Sequence, residues 1–259
     1  MTAATPKGAS RGALRILHLF PRLLGLNGES GNVEILRLRS ERRGLPVEVL
    51  SYDGPDDAAV RARFDDADLV FIGSGPVSAE LIAHPLVTAV AGDLRALAAD
   101  GRPFLAVGAG FQLLGQTVTL ESGEVLEGAS LFPVATRHGG TRVVGDFVLD
   151  SPRIGPIVGF ENRGSFVDVG PHGTLGRVVY GRGNSETPGE EGFWEDNLLG
   201  THMHGPLLAN NPALADSLLD TARLRRGLEY TDPAPESLRL VDESARQSRA
   251  TIAAAPLSE

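Results

Sequence analysis

The chain has 259 residues, room for one large α/β domain or two small ones, and 42% of them are hydrophobic, enough for a substantial core. A net charge of −9 argues against nucleic-acid binding, which needs a basic face to neutralise phosphates. The absence of cysteine excludes disulfides, thiolate metal sites and thiol nucleophiles.

Residues 1–12 read as a disordered tail. The apolar stretch that follows is interrupted by Arg15, His18 and Pro21, unlike the clean apolar segment of a secretory signal. No uninterrupted apolar run reaches the roughly 18 residues of a membrane span, so a cytoplasmic protein without membrane insertion is expected.

Strands and helices then alternate. Leu14 to Phe20 is a strand, and Ser30-Gly31-Asn32 opens a helix carrying Val33, Leu36 and the basic run Arg37 to Arg43, which Gly44 closes. The basic run reads as a solvated helix face or a patch for a partner. Val47 to Tyr52 and Asp68 to Ile72 are strands, the second running into Gly73-Ser74-Gly75. The spacing of Leu86, Val90, Leu94 and Leu97 predicts a helix over 86–99, and Pro103 to Val107 is a fourth strand, ending in Gly108-Ala109-Gly110. Such repetition implies a parallel sheet covered on both faces, with ligands at the carboxyl ends of the strands, where both Gly-rich turns fall.

The second half is richer in strands: 142–149, 156–161 and 175–180. The polar segment Gly181 to Gly192 reads as an exposed loop. Leu198 to Pro206 is a strand entering a turn, and Asn211-Pro212 starts a helix to about Arg226. The remainder, 227–259, carries a weak helical pattern from Glu236 to Arg249 and reads as a tail or a partner-binding helix. Residues 13–226 form one domain.

The chemistry concentrates at Gly108 and His204. A strand breaking sharply into a helix projects one residue beside unpaired backbone amides, the geometry that activates a nucleophile and supplies an oxyanion hole. The apex backbone is strained, which suits small neighbours. A base must stand within hydrogen-bond reach, and His204, followed by Gly205-Pro206, is suited to it. His202 and His204, at alternate positions, would share a face if the strand persisted. A weak metal site is the alternative to ordinary strand histidines, but no third ligand is evident and no metal or cofactor is expected.

The run Ala106 to Gly115 resembles the nucleophile elbow of class I glutamine amidotransferases of the cobyric acid synthase type, and Gly200 to Pro212 resembles their catalytic-histidine segment. Ile72 to Gly75, Val158 to Asn162, Gly176 to Gly181 with Gly183-Asn184, and Asn211 to Leu219 extend the resemblance over most of 14–220. It is greatest to the GatD family, the glutaminase subunits of lipid II isoglutaminyl synthase.

The resemblance implies a three-layer α/β sandwich, a flavodoxin-like parallel sheet with an added antiparallel part. It also implies a subunit that hydrolyses glutamine and passes ammonia to a MurT-like synthetase in a heterodimer, which amidates the D-glutamate of lipid II in peptidoglycan synthesis. Position by position, Gly108 takes the place of the nucleophilic cysteine and His204 that of the general base. Gln112 and Arg142 take positions that hold glutamine, and Gly73 to Gly75 the loop lining the oxyanion site. Arg142 read without the resemblance is equally a solvated strand arginine.

The departures are central. Gly108 has no side chain, so no thioester can form through it. Ala109 replaces the usual Gly, His202 a usual Tyr and Arg163 a usual His. Pro206 stands where many other class I enzymes place the Glu that orients the histidine, so the partner of His204 is unidentified. Ser74 and Thr117 are hydroxyls in the region, but attack geometry is set by position and neither is at the apex. The alternatives to an ammonia-supplying subunit are a binding or regulatory pseudoenzyme and a cobalamin-branch relative.

Overall fold

The computed structural model describes residues 12–187 and 189–254. Residues 1–11 of the expected tail lie outside the described residues. The chain builds β1 (Leu14–Leu19), α1 (Ser30–Arg42), β2 (Val47–Tyr52), α2 (Ala58–Arg61), β3 (Leu69–Ile72), α3 (Val77–Ala99), β4 (Phe104–Val107) and α4 (Ala109–Leu113). There follow β5 (Thr117–Thr119), β6 (Val125–Glu127), β7 (Ala135–Ser151), β8 (Gly155–Asp168), β9 (Gly176–Tyr180), β10 (Glu190–Glu191), β11 (Phe193–Glu195), β12 (Leu198–Thr201) and β13 (Met203–His204). Helices α5 (Leu207–Asn210), α6 (Pro212–Arg226) and α7 (Glu236–Ala254) close the described chain.

The first sheet has the order β11-β12-β4-β3-β1-β2 and is parallel except for β11. Its central strands β3 and β4 are apolar and buried along their whole length, as a doubly covered sheet requires. Alternate residues divide the core in two. Leu17, Leu19, Val70, Ile72, Phe104 and Ala106 face the side covered by α3, which contributes Val87, Val90, Leu94 and Leu97. Leu14, Ile16, Leu69, Phe71, Leu105 and Val107 face the side of α1 and α6. This is the expected three-layer sandwich. The second sheet is the expected antiparallel addition: the long β7–β8 hairpin is flanked by β9 and β10 and, through a parallel β5–β7 pairing, by β5 and β6.

Three sequence expectations are corrected. Helix α3 begins at Val77, nine residues before the predicted start, and runs through Pro85. Pro85, Leu81 and Ile82 are exposed, so the carbonyl that proline leaves without its helical donor reaches water. By length and composition α3 could cross a membrane, yet Ala83, Val87, Val90 and Leu94 pack it on the sheet. The segment 181–192 is no simple exposed loop: Asn184 and Glu191 are buried, and the Asn184 side-chain amide exchanges two hydrogen bonds with the backbone of Gly192. The strand through 198–206 breaks at His202. Its first part pairs with β4 in the parallel sheet and its second, β13, pairs with β8 in the other.

Helix α7 docks on the domain. Arg39, itself buried, binds both oxygens of Asp216 on α6 at 2.8 and 2.7 Å and Asp242 of α7 at 2.6 Å, so the basic run of α1 is in part a structural clamp.

Candidate active site

Four neighbouring strands of the parallel sheet deliver one segment each at their carboxyl ends. β12 leads to His202-Met203-His204, β4 to Gly108, β3 to Gly73-Ser74-Gly75, and β1 to a loop that ends in Glu29 before α1. Together with β7 and β8 they line a cavity of about 410 Å³. Ser74, Gly75, Gly108, Gln112, Arg142, His202 and His204 all border it.

The elbow is formed as the sequence implies. Gly108 has φ 52° and ψ −117°, a backbone strained for any other residue. Its N–H donates to the Thr201 carbonyl at 2.8 Å, and Gly110 N–H donates to the Gly73 carbonyl at 3.0 Å, so the turn is tied to both flanking strand ends. Gly73 does not line the cavity. A Cβ there would stand 2.7 Å from the Glu29 Cβ, so the bare backbone at 73 is what admits Glu29 behind the site.

Glu29 is the partner of His204 that sequence reasoning missed. Its Oε1 lies 2.6 Å from His204 Nδ1, and its Oε2 accepts from Asn32 Nδ2 at 3.0 Å. Asn32 Oδ1 in turn accepts the Leu208 N–H at 2.9 Å, closing a network across α1 and α5. All three polar side chains are buried. Burial raises the Glu29 pKa above the usual carboxylate range, while the hydrogen bond from His204 opposes that shift. An acid acceptor at Nδ1 favours the tautomer that carries its proton there, the orientation an acid gives the histidine of a nucleophile–His–acid triad. Gly108, at the apex of the elbow, brings no side chain to this pair.

Gln112 is buried beneath the cavity. Its Nε2 lies 2.9 Å from Ser165 Oγ and 3.0 Å from His202 Nε2, while Oε1 has no partner among the described residues. Burial, then the charge of Arg163, pushes the His202 pKa well below its usual value, so this ring is neutral and serves as an acceptor. His202 and His204 therefore have separate partners, and no group of three metal-ligating side chains occurs among the described residues. Arg163 is buried beside them, its Nε 3.2 Å from Glu161 Oε2 and its guanidinium bonded to the Ser165 carbonyl. Across the β7–β8 pairing, His138 Nε2 stands 3.2 Å from Glu80 Oε2, another buried acid that the sequence did not single out. Arg142 is exposed at the cavity rim, at the register shift of the β7–β8 ladder, with Nη2 2.5 Å from Asn162 Oδ1. Thr117 lies on β5, outside the cavity lining.

Residues 15–212 match the CobB/CobQ-like glutamine amidotransferase domain family, about three quarters of the chain. The chain belongs to that family. The GatD subunit of the glutamine-hydrolysing lipid II isoglutaminyl synthase of Staphylococcus aureus (strain N315) is 34% identical over 219 residues, covering 84% of this chain and 87% of that protein. Its counterpart in Streptococcus pneumoniae (strain ATCC BAA-255 / R6) is 32% identical over 232 residues, 87% and 86% of the two chains. A probable cobyric acid synthase of Methanocella arvoryzae (strain DSM 22066 / NBRC 105507 / MRE50) is 30% identical, but over only 56% of this chain and 30% of its own length. Among solved structures, a glutamine amidotransferase superposes with a TM-score of 0.56 at 14% identity, covering 82% of this chain and 99% of that one, which supports the fold alone.

Proposed function

We propose that this chain is the glutamine amidotransferase-like subunit of a two-component enzyme that amidates the D-glutamate of lipid II, paired with a MurT-like synthetase. Near full-length similarity to two GatD subunits supports this reading over a cobalamin-branch role, since the cobyric acid synthase similarity covers a smaller part of both chains. Within it, Arg142 at the rim and Gln112 below hold glutamine or a like amino acid, and His204 with Glu29 is the inherited base.

The observation that carries the mechanism is the bare elbow at Gly108 beside an otherwise assembled His204–Glu29 pair. Without a side chain there, glutamine is bound but not opened through a thioester, and the synthetase draws on free ammonia. Purified chain and synthetase, given ATP and lipid II, should amidate with ammonium and not with glutamine. Transfer of label from amide-¹⁵N glutamine into lipid II at a rate matching ammonium would sink this mechanism. Failure of the two proteins to co-purify would sink the pairing. Binding of glutamine to the chain alone, lost in Arg142→Ala, checks the ligand assignment by calorimetry.

A further inference from the structure

The loop after β3 and the elbow after β4 meet on the floor of the cavity. A Cβ placed on residue 108 would stand 2.7 Å from the Cβ of Ser74 and 3.0 Å from His204 Cε1, with Ser74 Oγ nearer still. Real Cβ atoms do not approach one another that closely. Rotation of the serine hydroxyl would remove Oγ from the clash, but Ser74 Cβ is fixed by the backbone. That backbone has little freedom. The Ser74 carbonyl accepts the Leu26 N–H at 2.9 Å and the Gly73 carbonyl accepts the Gly110 N–H at 3.0 Å. On its far side, a Cβ on Gly73 would already press on Glu29. Retreat of the loop would therefore disturb the carboxylate that holds His204.

The serine also takes up chemistry. It is 6% exposed, and its Oγ accepts the N–H of Ala109, the amide following the elbow residue, at 3.3 Å. In a cleaving site an amide at this place is free to meet the oxyanion.

We propose that Ser74 occupies the volume a reactive side chain at 108 would need, so that positions 74 and 108 act as one coupled determinant of whether this site cleaves its ligand or only binds it. Gly108 with Ser74 is the binding form: a carboxamide is held by hydrogen bonds and no covalent bond forms. A cysteine at 108 requires a smaller residue at 74. This rests on reading Gly108 as the elbow of a glutaminase-type site, but its test needs neither synthetase nor lipid II.

The test compares the parent, Gly108→Cys, Ser74→Gly and the double variant, each treated with the glutamine analogue 6-diazo-5-oxo-norleucine. Alkylation forms a carbon–sulfur bond at the diazo-bearing carbon, with loss of dinitrogen and uptake of one proton. Intact mass and peptide mapping read the adduct, and thermal melting reads the fold. The parent and Ser74→Gly should remain unlabelled. Gly108→Cys should melt below the double variant and take up label at its introduced thiol on the order of a hundredfold more slowly, the usual penalty for a nucleophile displaced by about an ångström. Ammonia release from glutamine should follow the same order. Equal melting and equal labelling of the single and double variants would overturn the coupling, as would a double variant that regains stability but labels no faster. An adduct on Ser74 of the parent would overturn the assignment of that residue.

Discussion

Replacing Glu29 by Gln asks the buried network around His204 a question it cannot answer without loss. In the parent, one carboxylate supplies two acceptors, Oε1 to His204 Nδ1 at 2.6 Å and Oε2 to Asn32 Nδ2 at 3.0 Å. Asn32 cannot turn its amide round, because its Oδ1 already receives the Leu208 N–H. Glutamine offers one acceptor and one donor. With its amide nitrogen toward Asn32, two donors meet at about the 3 Å of a hydrogen bond. With its nitrogen toward the ring, His204 must give up the Nδ1 proton and carry it on Nε2, the nitrogen that the proposed base would use. The first arrangement leaves a buried donor unsatisfied, at a cost of about 1–3 kcal/mol. The second trades a charge-assisted hydrogen bond for a neutral one, of smaller cost, so the tautomer switch is the expected outcome. A loss near 1 kcal/mol, the difference between a charge-assisted and a neutral hydrogen bond, would lower the melting temperature by about 2–4 °C in a chain of this size. Proton–nitrogen correlation spectra of ¹⁵N-histidine-labelled protein read the tautomer directly, with His204→Gln providing the assignment. A Glu29→Gln variant that keeps the proton on Nδ1 and melts within about 1 °C of the parent would refute the reasoning.

Two further outcomes follow from buried charge. His18 on β1 lies edge-on to Phe71, and burial lowers its pKa from 6.5 to about 4 against a smaller opposing pull from Asp53. The folded ring stays neutral while the unfolded chain takes up a proton, so stability is full above pH 6.5 and falls toward pH 4, by about 3 kcal/mol in all. His18→Leu should flatten that decline in acid melting curves, and an unchanged slope would exclude His18 as its source. Arg39→Met should release Asp242 while Asp216 keeps Arg43 at 2.6 Å, costing about 2 kcal/mol, because both aspartates are partly solvated. Hydrogen exchange should then rise in 236–254 and little elsewhere. Unchanged exchange there would show that apolar packing, not Arg39, holds α7.

The parallel half of the fold was legible because its strands are short apolar runs punctuated by glycine, and the sheet places each such punctuation at a carboxyl end. Gly108 and His204 could be found for that reason. Glu29 could not: 175 residues separate it from His204, and a lone acid before a helix carries no signal of what it will touch. Its only sequence trace is Asn32 one turn later, whose bond to Glu29 is local but whose bond from the Leu208 N–H spans 176 residues. The first turns of α3 were hidden by Pro85, which reads as a boundary, although packing of Ala83 and Val87 on the sheet carries the helix through it. Local pattern likewise gave no hint that the chain would change sheets at His202. The side of Gly108 that Ser74 fills was also invisible, since only the adjacent ends of β3 and β4 bring the two positions within one side-chain volume.

The change of sheet at His202 has a mechanical meaning. β12 is fixed in the parallel sheet, and two residues later β13 is fixed to Phe160 and Glu161 of β8. His204 thus takes its backbone position from one sheet and the anchor of its ring, Glu29, from the other, so base and elbow are held in register only where the two sheets are joined.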